Sequence, residues 1–387
     1  MNFGKELKKL WHLDENITFL NHGSFGATPK SVLEAVSKWQ IELEKEPVEF
    51  FMTRYFDLVR QLADRLGRIV GSIGDSIVFL ENATTGINTV LKSLIFDFKN
   101  NDEILYTNHI YPAARNSVNY FCEKTGGKPV EVFIPYPLTD TALIIDIIQK
   151  SLTSKTKILL IDHIFYTGGI IVPLKEIIDI CRKNGTYVLV DGAHAPGMIE
   201  LNLDELQADW YTGNCHKWMF SPKGCAFLWT RKDLQELTKP LSTSLFHNQG
   251  YCKEFDWTGT KNPAVWLALN EAIDFIENFG LKNIQQNNHD LLVKAIRIVS
   301  EISQIEFLTP ANYFGSITAF ELPISLKIDS ETTHNLRDVF YKEYKIEIPF
   351  IHFNDKIWFR FSSQIYNEPD DYIKLAEAVN SFCKDKK

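Results

Sequence analysis

The sequence predicts an α/β protein with a mainly parallel sheet and helices on both of its faces. Two observations support this fold class. From about residue 75 to 230, short β-rich runs alternate with stretches of helical period, each about one crossover long. Several of these runs are apolar at successive positions, which is typical of strands that are covered on both faces.

The strands and helices of this region can be assigned in order. The predicted strands are DSIVFL, EILYT, KILLIDH, TYVLVDGAH, DWYTG and CAFLWT. The predicted helices between them are 84–95, 111–125, 140–151 and 173–184. In the last helix, Pro173 can occupy an early position without losing a hydrogen bond, and apolar residues recur at three-to-four spacing from Leu174 to Cys181. Gly185 then supplies a left-handed stop.

The pattern changes after the loop FDWTGTKNP. Two long helical patterns, two strand-like runs and a final helix follow, at 263–279, 281–302, SITAFEL, KIWFRFS and from about 368. This order predicts a smaller α+β unit, which a helix near 30–45 would complete. We therefore predict a large domain over 46–262 and a small domain formed by 1–45 and 263–387.

Composition excludes several classes of function. The net charge is −8 and no basic stripe is present, so nucleic acid and anionic membrane are poor partners. The N-terminus lacks the apolar stretch of a signal peptide, and no window resembles a membrane span, so we expect a cytosolic protein. The six cysteines form no C-x-x-C pair, which favours free thiols and argues against a structural metal site.

Polar residues follow four of the predicted strands. They are Asn82-Ala83-Thr84-Thr85-Gly86, Asn108-His109-Ile110-Tyr111, Asp191-Gly192-Ala193-His194 and Asn214-Cys215-His216-Lys217. In an open parallel sheet, ligands collect outside the carboxyl ends of the strands. We therefore expect the binding site among these residues.

Each of these residues also has a structural interpretation. Asp191 follows a strand in which a carboxylate is costly to bury unless it meets a cation or hydrogen-bond donors, but such a residue taken alone is more often a helix cap or part of an ion pair. His194 alone could be a structural histidine. Lys217 precedes Trp218, Met219 and Phe220, which could desolvate its amine and lower its pKa, although its stem could also pack while its head reaches solvent.

The combination favours chemistry. A carboxylate after one strand, a lysine after the next and a helix that begins near Thr84 and Thr85 supply a partner for a pyridinium, an anchor for an aldehyde and a cradle for a phosphate. Ordinary capping by either threonine is the alternative for the helix start. Together these residues predict a site for pyridoxal 5'-phosphate (PLP).

Five stretches resemble a known family. They are FLNHGSFGATP (19–29), NATTGIN (82–88), LVDGAHAPG (189–197), DWYTGNCHKWMFSPKGCAFLW (209–229) and FDWTGTKNP (255–263). These stretches are similar to the isopenicillin-N-epimerase-like branch of the class V aminotransferases, whose superfamily includes cysteine desulfurases, C–S lyases and kynureninase. The resemblance covers most of the chain and is strongest from 75 to 265. It implies the type I fold of PLP enzymes, with a seven-stranded sheet.

The resemblance also implies a role for each cofactor contact. Lys217 would form the Schiff base with PLP, and Asp191 would pair with the pyridine nitrogen. His194 and His163 would contact the 3-oxygen of the ring and the substrate carboxylate. The implied phosphate contacts are Thr84, Thr85 and His216, together with Thr258-Gly259-Thr260 from a neighbouring subunit. The resemblance therefore implies a homodimer with shared active sites.

Further positions would act on the substrate. His109 matches the residue that stacks on the ring face opposite the lysine. Tyr111, two positions later, is the alternative for a role on that face. Arg360 matches an arginine that grips the substrate carboxylate, a task that suits a bidentate guanidinium, although a surface ion pair is the structural alternative. His22-Gly23-Ser24 would line the substrate end of the site.

Two departures from the family pattern limit what can be transferred. Desulfurases place a nucleophilic cysteine shortly before the strand that bears the arginine, and here that stretch reads EIPFIHFNDK. Formation of a persulfide is therefore disfavoured. Cys215 and Asn214 replace a glycine and a serine of the desulfurases, so phosphate contacts from these two positions are in doubt.

The sequence leaves several reactions open. The first hypothesis is an epimerase or racemase that acts at the α-carbon of an amino acid, because the closest motifs are those of that branch. A C–S lyase acting on a cysteine derivative is held nearly equal to it, and an aminotransferase is a further alternative. A PLP-binding protein without turnover is a fourth hypothesis, against which the presence of Asp191 and Lys217 argues.

Overall fold

The computed structural model describes residues 3–95, 97–324, 326 and 329–385. Within that part of the chain the strands are β1 Thr18–Phe19, β2 Ile77–Leu80, β3 Glu103–Thr107, β4 Lys128–Val132, β5 Thr156–Asp162, β6 Tyr187–Asp191, β7 Trp210–Asn214, β8 Ala226–Thr230, β9 Ile317–Glu321, β10 Ile346–Glu347, β11 Phe350–Phe353 and β12 Lys356–Ser362. They form one large sheet, one small sheet and one isolated pair.

The large sheet has seven strands in the order β2-β8-β7-β6-β5-β3-β4. Strands β3 to β7 are parallel, while β8 runs antiparallel to both of its neighbours, β7 and β2. Every residue of β2, β7 and β8 is buried, as expected for strands that are covered on both faces. The predicted α/β fold with a mainly parallel seven-stranded sheet is confirmed.

The helices are α1 His22–Phe25, α2 Lys30–Lys45, α3 Pro47–Glu49, α4 Tyr55–Val70, α5 Ala83–Ser93, α6 Pro112–Thr125, α7 Ala142–Ser151, α8 Leu174–Asn184, α9 Leu203–Leu206, α10 Tyr251–Asp256, α11 Ala264–Leu267, α12 Leu269–Phe279, α13 Leu281–Ser303, α14 Ser330–Val339 and α15 Pro369–Asp385. Short 3-10 turns span Lys5–Leu10, Gly74–Ser76, Lys232–Leu234 and Ala311–Tyr313, and π-helical turns span Phe50–Arg54 and Phe340–Tyr344. No helix in the described ranges is long and apolar enough to cross a membrane.

The two faces of the sheet belong to two hydrophobic cores. One core joins α5, α6 and α10 to one face, and the other joins α4, α7 and α8 to the opposite face. Adjacent residues of a strand alternate between the cores: Ile104 lies in the first and Leu105 in the second. This alternation follows from the two-residue period of a strand and places the sheet between two layers of helices.

Several features differ from the sequence-based expectation, among them the helices α4 and α14, which were not predicted. The helix expected over 263–279 is divided into α11 and α12 at Ala268. The edge strand β4 was not predicted, because its residues are mostly exposed and include Pro129, so it lacks an apolar pattern. The short strands β1, β10 and β11 were also missed, since two to four residues show no clear period.

The N-terminal segment packs on the C-terminal part of the chain. Strand β1 pairs in parallel with β10, and α2 packs against α11 and α12. The small sheet is antiparallel, with the order β11-β12-β9. These contacts support our proposal that 1–45 and 263–387 form one small domain beside a large domain over 46–262. The termini of those ranges at 1–2 and 386–387 lie outside the described residues.

Gly26 holds this segment against the loop that follows β7. Its φ is 70°, and a Cβ atom built there would lie 2.1 Å from the carbonyl oxygen of His216. Gly185, at the end of α8, has a similar φ of 73°, but a Cβ atom at that position would have no atom within 4 Å. The two glycines therefore share a backbone conformation and differ in the space around them.

Replacement of each glycine by alanine should separate backbone strain from steric exclusion. We expect Gly185→Ala to lower the free energy of unfolding by about 1 kcal/mol, the cost of a left-handed alanine. Gly26→Ala should cost at least about 3 kcal/mol, because backbone atoms must also move apart. Thermal or urea unfolding measures both values. Equal losses in the two variants would contradict the proposed close packing at Gly26.

Candidate active site

A cavity of about 430 Å³ lies at the carboxyl ends of β5, β6 and β7. The polar residues that follow the strands predict a binding site at this edge. The residues that line the cavity are Gly23, Ser24, Phe25, Asn82, Ala83, Thr84, Tyr111, Asp162, Tyr166, Asp191, Ala193, His194, Asn214, His216, Lys217, Pro349, Ile351 and Arg360. The cavity thus collects side chains from the large sheet, the N-terminal segment and the small sheet.

Lys217 lies at the centre of this cavity, three residues after β7. Its Nζ is 3.1 Å from Nε2 of His194. The pKa of Lys217 is lowered to about 7, mainly by loss of hydration and then by the positive charge of Arg360, while Asp191 and Asp162 act in the opposite direction. A substantial fraction of this amine is therefore neutral at physiological pH, as an amine that attacks an aldehyde must be.

Asp191 is the last residue of β6 and is buried. Its Oδ1 accepts a hydrogen bond of 2.9 Å from the backbone N–H of Ala193. Burial raises the pKa of Asp191, whereas the Ala193 N–H and the charge of Lys217 lower it. A carboxylate in this setting can stabilise a cation that enters the cavity, which is what a pyridinium nitrogen requires.

Asp162 is a cavity residue that the sequence analysis did not select. It ends β5 and is paired in register with Asp191 on the adjacent strand. Burial is the largest cause that raises the pKa of Asp162 well above its usual value, and the charge of Asp191 is the next. The signal was present in the sequence: in KILLIDH, as in VLVDGAH, a carboxylate directly follows a buried apolar run.

The start of α5 lies on the same side of the cavity. Oδ1 of Asn82 accepts the backbone N–H of Thr85 at 2.9 Å, and Oδ1 of Asn214 accepts the N–H of Ala83 at 2.9 Å. Thr84 lines the cavity, whereas the Thr85 hydroxyl is hydrogen-bonded to Asn82. The helix N-terminus can attract a phosphate, but amide oxygens already occupy two of its N–H groups.

Asn214, Cys215 and His216 follow one another along the chain but have different surroundings. His216 lines the cavity, and its Nδ1 lies 3.0 Å from the carbonyl oxygen of Cys225. The thiol of Cys215 is fully buried beside Cys225 and does not line the cavity. Asn214 supports the start of α5, as described above. A phosphate contact therefore stays a prediction for His216 and Thr84 and is not supported for the Cys215 side chain.

The structure places His109 away from the cavity. Its Nδ1 is 2.5 Å from the Thr167 hydroxyl, its Nε2 is 3.0 Å from the Ile134 carbonyl oxygen, and its ring stacks on Phe165 at 4.2 Å. With both nitrogens occupied and no exposed surface, His109 is a core residue here. Tyr111, unlike His109, lines the cavity and is 47% exposed.

Two other histidines also support the site from outside the cavity. Nδ1 of His163 is 2.8 Å from the Tyr211 hydroxyl, and burial lowers the pKa of His163 to about 4. Nε2 of His22 is 2.9 Å from the carbonyl oxygen of Lys217, and its Nδ1 is 2.7 Å from the Tyr366 hydroxyl. Neither histidine lines the cavity.

Arg360 on β12 is buried and extends into the cavity. It donates hydrogen bonds to the Tyr166 carbonyl oxygen at 2.5 Å and to the Ser24 hydroxyl at 3.1 Å. Burial lowers the pKa of Arg360 to about 10. Within the described ranges no carboxylate lies at ion-pair distance from Arg360, so its guanidinium can receive the carboxylate of a ligand.

The loop with Thr258, Gly259 and Thr260 does not line this cavity. Thr260 is exposed, Gly259 has a φ of 115°, and the Thr258 hydroxyl accepts a hydrogen bond from Lys261. The predicted phosphate contact of this loop involves the site of a second subunit. It remains a prediction.

The cavity residues fit PLP. Oδ2 of Asp162 and Nδ1 of His194 are buried without a hydrogen-bond partner in the described part of the chain, so polar groups are available to a ligand. A lysine of lowered pKa, a buried carboxylate, a helix N-terminus and a buried arginine match an aldehyde, a pyridinium, a phosphate and an amino-acid carboxylate, respectively.

Comparisons with known proteins agree with this assignment. The family model described as Aminotransferase class-V matches residues 21–336. The chain is 29% identical to the probable L-cysteine desulfhydrase, chloroplastic, of Arabidopsis thaliana, over 97% of this chain and 84% of the relative. It is 26% identical to isopenicillin N epimerase of Amycolatopsis lactamdurans, over 96% of each chain.

A solved structure supports the fold alone. The apo structure of cysteine desulfurase from Thermococcus onnurineus NA1 superposes with a TM-score of 0.83. The alignment covers 100% of this chain and 99% of the other, at 19% identity.

The lowered pKa of Lys217 can be tested in the cofactor-free protein. Reductive methylation requires a neutral amine, so the reaction of Lys217 should increase as pH rises and reach half its maximal rate near pH 7. Peptide mass spectrometry measures the rate, and exposed Lys150 on α7 is the reference lysine. Arg360→Gln should raise the midpoint, because it removes a positive charge. An identical pH profile for Lys217 and Lys150 would be inconsistent with a perturbed amine.

Proposed function

The chain belongs to the class-V aminotransferase family and is a PLP-dependent enzyme, and from that premise we propose that it cleaves the C–S bond of a cysteine derivative. The proposal rests on which acids and bases line the cavity. Lys217 is a base of suitable pKa, and Arg360 can hold a carboxylate. His109, one of two candidates for a second acid, is packed in the core. Elimination of a thiolate needs a base and no acid on the opposite face.

The cofactor would be held by the residues described above. We propose that Lys217 attaches to its aldehyde carbon, that Asp191 pairs with its ring nitrogen, and that Thr84 and His216 contact its phosphate. When bound, PLP supplies an electron-withdrawing ring that stabilises negative charge at the substrate α-carbon. His194 would contact the ring, since its unpartnered Nδ1 is buried at the cavity wall.

The protein residues would perform three tasks. Arg360, oriented by the Tyr166 carbonyl and the Ser24 hydroxyl, holds the substrate carboxylate. The Lys217 amine, once free, takes the α-proton, because a pKa near 7 leaves it partly neutral at physiological pH. Loss of the β-thiolate, which takes up the proton, releases the thiol or sulfide and leaves an unsaturated amine of the substrate, which water hydrolyses to pyruvate and ammonia. None of the six cysteines lines the cavity, which argues against transfer of sulfur to the protein.

Epimerisation is the second candidate, and Tyr111 favours it. Tyr111 lines the cavity, and its ring lies 5.6 Å from that of Tyr166. A phenol on the face opposite Lys217 could return a proton there, as an epimerase requires. The similarity to isopenicillin N epimerase supports this candidate, as the similarity to the desulfhydrase supports lysis.

A homodimer with shared sites also remains part of the proposal. Phe25 at the cavity rim is 73% exposed, and Thr258–Thr260 do not line the cavity of their own chain. A second chain that covers the rim would account for both features. The cytosolic location stays a prediction.

Attachment of the cofactor to Lys217 is the first test. The purified protein should show a visible absorption band with PLP, and borohydride reduction followed by peptide mapping should place the label on Lys217. Lys217→Ala should lose the band. Lys223→Ala, six positions further on, is the matched control and should keep it. A label on another lysine would sink the proposed site.

Isotope exchange in heavy water separates the two reactions. With L-cysteine or an S-substituted cysteine, we expect pyruvate and a thiol or sulfide, with little deuterated substrate of inverted configuration. Tyr111→Phe should change the rate of pyruvate formation by no more than about threefold, since elimination does not need the proton of Tyr111. Inversion of the α-carbon with deuterium uptake, abolished in Tyr111→Phe, would instead establish epimerisation. Keto acid exchange without thiol release would indicate an aminotransferase.

A further inference from the structure

Two carboxylates stand side by side at the edge of the sheet. Asp162 and Asp191 are register partners at the ends of the adjacent parallel strands β5 and β6. Both are buried, with exposures of 4% and 5%, and both line the cavity. The charge of Asp191 acts on Asp162, so both carboxylates cannot be ionised together without a cost, and one of the two tends to hold a proton.

The surroundings of the pair are not symmetric. Asp191 has a backbone donor, the N–H of Ala193, which stabilises its anion. Asp162 also has a backbone donor, its own N–H, but its Oδ2 is buried without a partner in the ranges the structure describes. A lone anionic oxygen in such a position is more costly than a neutral hydroxyl that awaits an acceptor. The proton of the pair therefore belongs on Asp162.

The charged groups around Asp162 agree with this assignment. Burial and then the charge of Asp191 raise the pKa of Asp162, while its backbone hydrogen bond and the charge of Lys217, which follows β7, lower it less. Tyr166, which follows β5, is uncharged at neutral pH because its own pKa is raised to about 12. Arg360 on β12 faces Tyr166 and Ser24. The attraction of Lys217 weakens further once its amine is neutral or covalently bound.

We propose that Asp162 is a neutral carboxylic acid in the cofactor-loaded enzyme and donates a hydrogen bond into the cavity, to an oxygen of the cofactor or of the substrate. This inference rests on the proposed PLP site. A neutral donor can bind an anionic oxygen without repelling the carboxylate that Arg360 receives. Asp191 then keeps the single negative charge that a ring cation needs.

Infrared difference spectroscopy of the loaded enzyme tests the protonation state without measuring turnover. Wild-type protein at neutral pH should show a carbonyl band of a protonated carboxyl group that shifts in heavy water. Asp162→Asn should remove that band. Asp179→Asn is the matched control, because it removes an exposed carboxylate on α8 whose pKa is lowered by Lys175, and it should leave the band unchanged.

Equilibrium binding distinguishes a donor from a negative charge. An asparagine has an N–H donor and no charge. The affinity of Asp162→Asn for PLP and for the substrate should therefore be within about threefold of wild type. Asp162→Ala should weaken binding about tenfold or more, because the donor is lost. If the acceptor belongs to the cofactor, the alanine variant raises the Kd for PLP. If it belongs to the substrate, KM rises while the PLP Kd is unchanged.

Several outcomes would overturn the inference. One is a carboxyl band that survives in Asp162→Asn, and another is equal loss of affinity in the asparagine and alanine variants, which would indicate that the negative charge matters. If Asp162→Asn does not fold, Asp162→Glu provides the readout: the band should move in frequency, and an unmoved band contradicts the assignment. Failure of wild-type protein to label Lys217 with PLP would refute the proposed function itself, which is a separate result.

Discussion

The desolvation of the Lys217 amine is the constraint on which the rest of the site depends. Its pKa of about 7 means that protonation of this amine costs at most about 5 kcal/mol more in the folded chain than in water, and screening by water in the cavity reduces this cost. The unfolded chain binds this proton more readily between about pH 7 and 10.5, so the contribution of this group to stability increases with pH across that window. Asp191 and Asp162 moderate the cost, and Arg360 adds to it.

Much of the site could be predicted because strand ends are readable in a sequence. Lys217 and Asp191 both follow strongly apolar runs, and parallel strands bring their carboxyl ends to one edge. The fold class followed from the same runs. By contrast, His109 and Tyr111 both follow β3, and sequence order does not tell which of two neighbouring side chains turns toward the cavity. The packing of His109 between Phe165 and Phe353 decides it.

Other features required three-dimensional information for different reasons. The importance of Asp162 comes from its register with Asp191, which depends on the pairing of two strands far apart in the chain. The role of Asn214 comes from its contact with Ala83, more than a hundred residues earlier, and a short-range pattern does not contain such a contact. The break at Ala268 and the edge strand β4 lack a local signal, since packing overrides propensity there.

The contacts between the first and last parts of the chain determine when the site can form during synthesis. Asn21 and Glu347 form a hydrogen bond across 326 residues of sequence, and His22 reaches the Lys217 carbonyl only when the first segment is docked. A ribosome releases Asn21 long before it adds Glu347, so the N-terminal segment must wait, unpaired, for β10 to emerge. The cavity is therefore complete, and able to bind PLP, only after translation ends. A truncated nascent chain would lack one wall of the cavity.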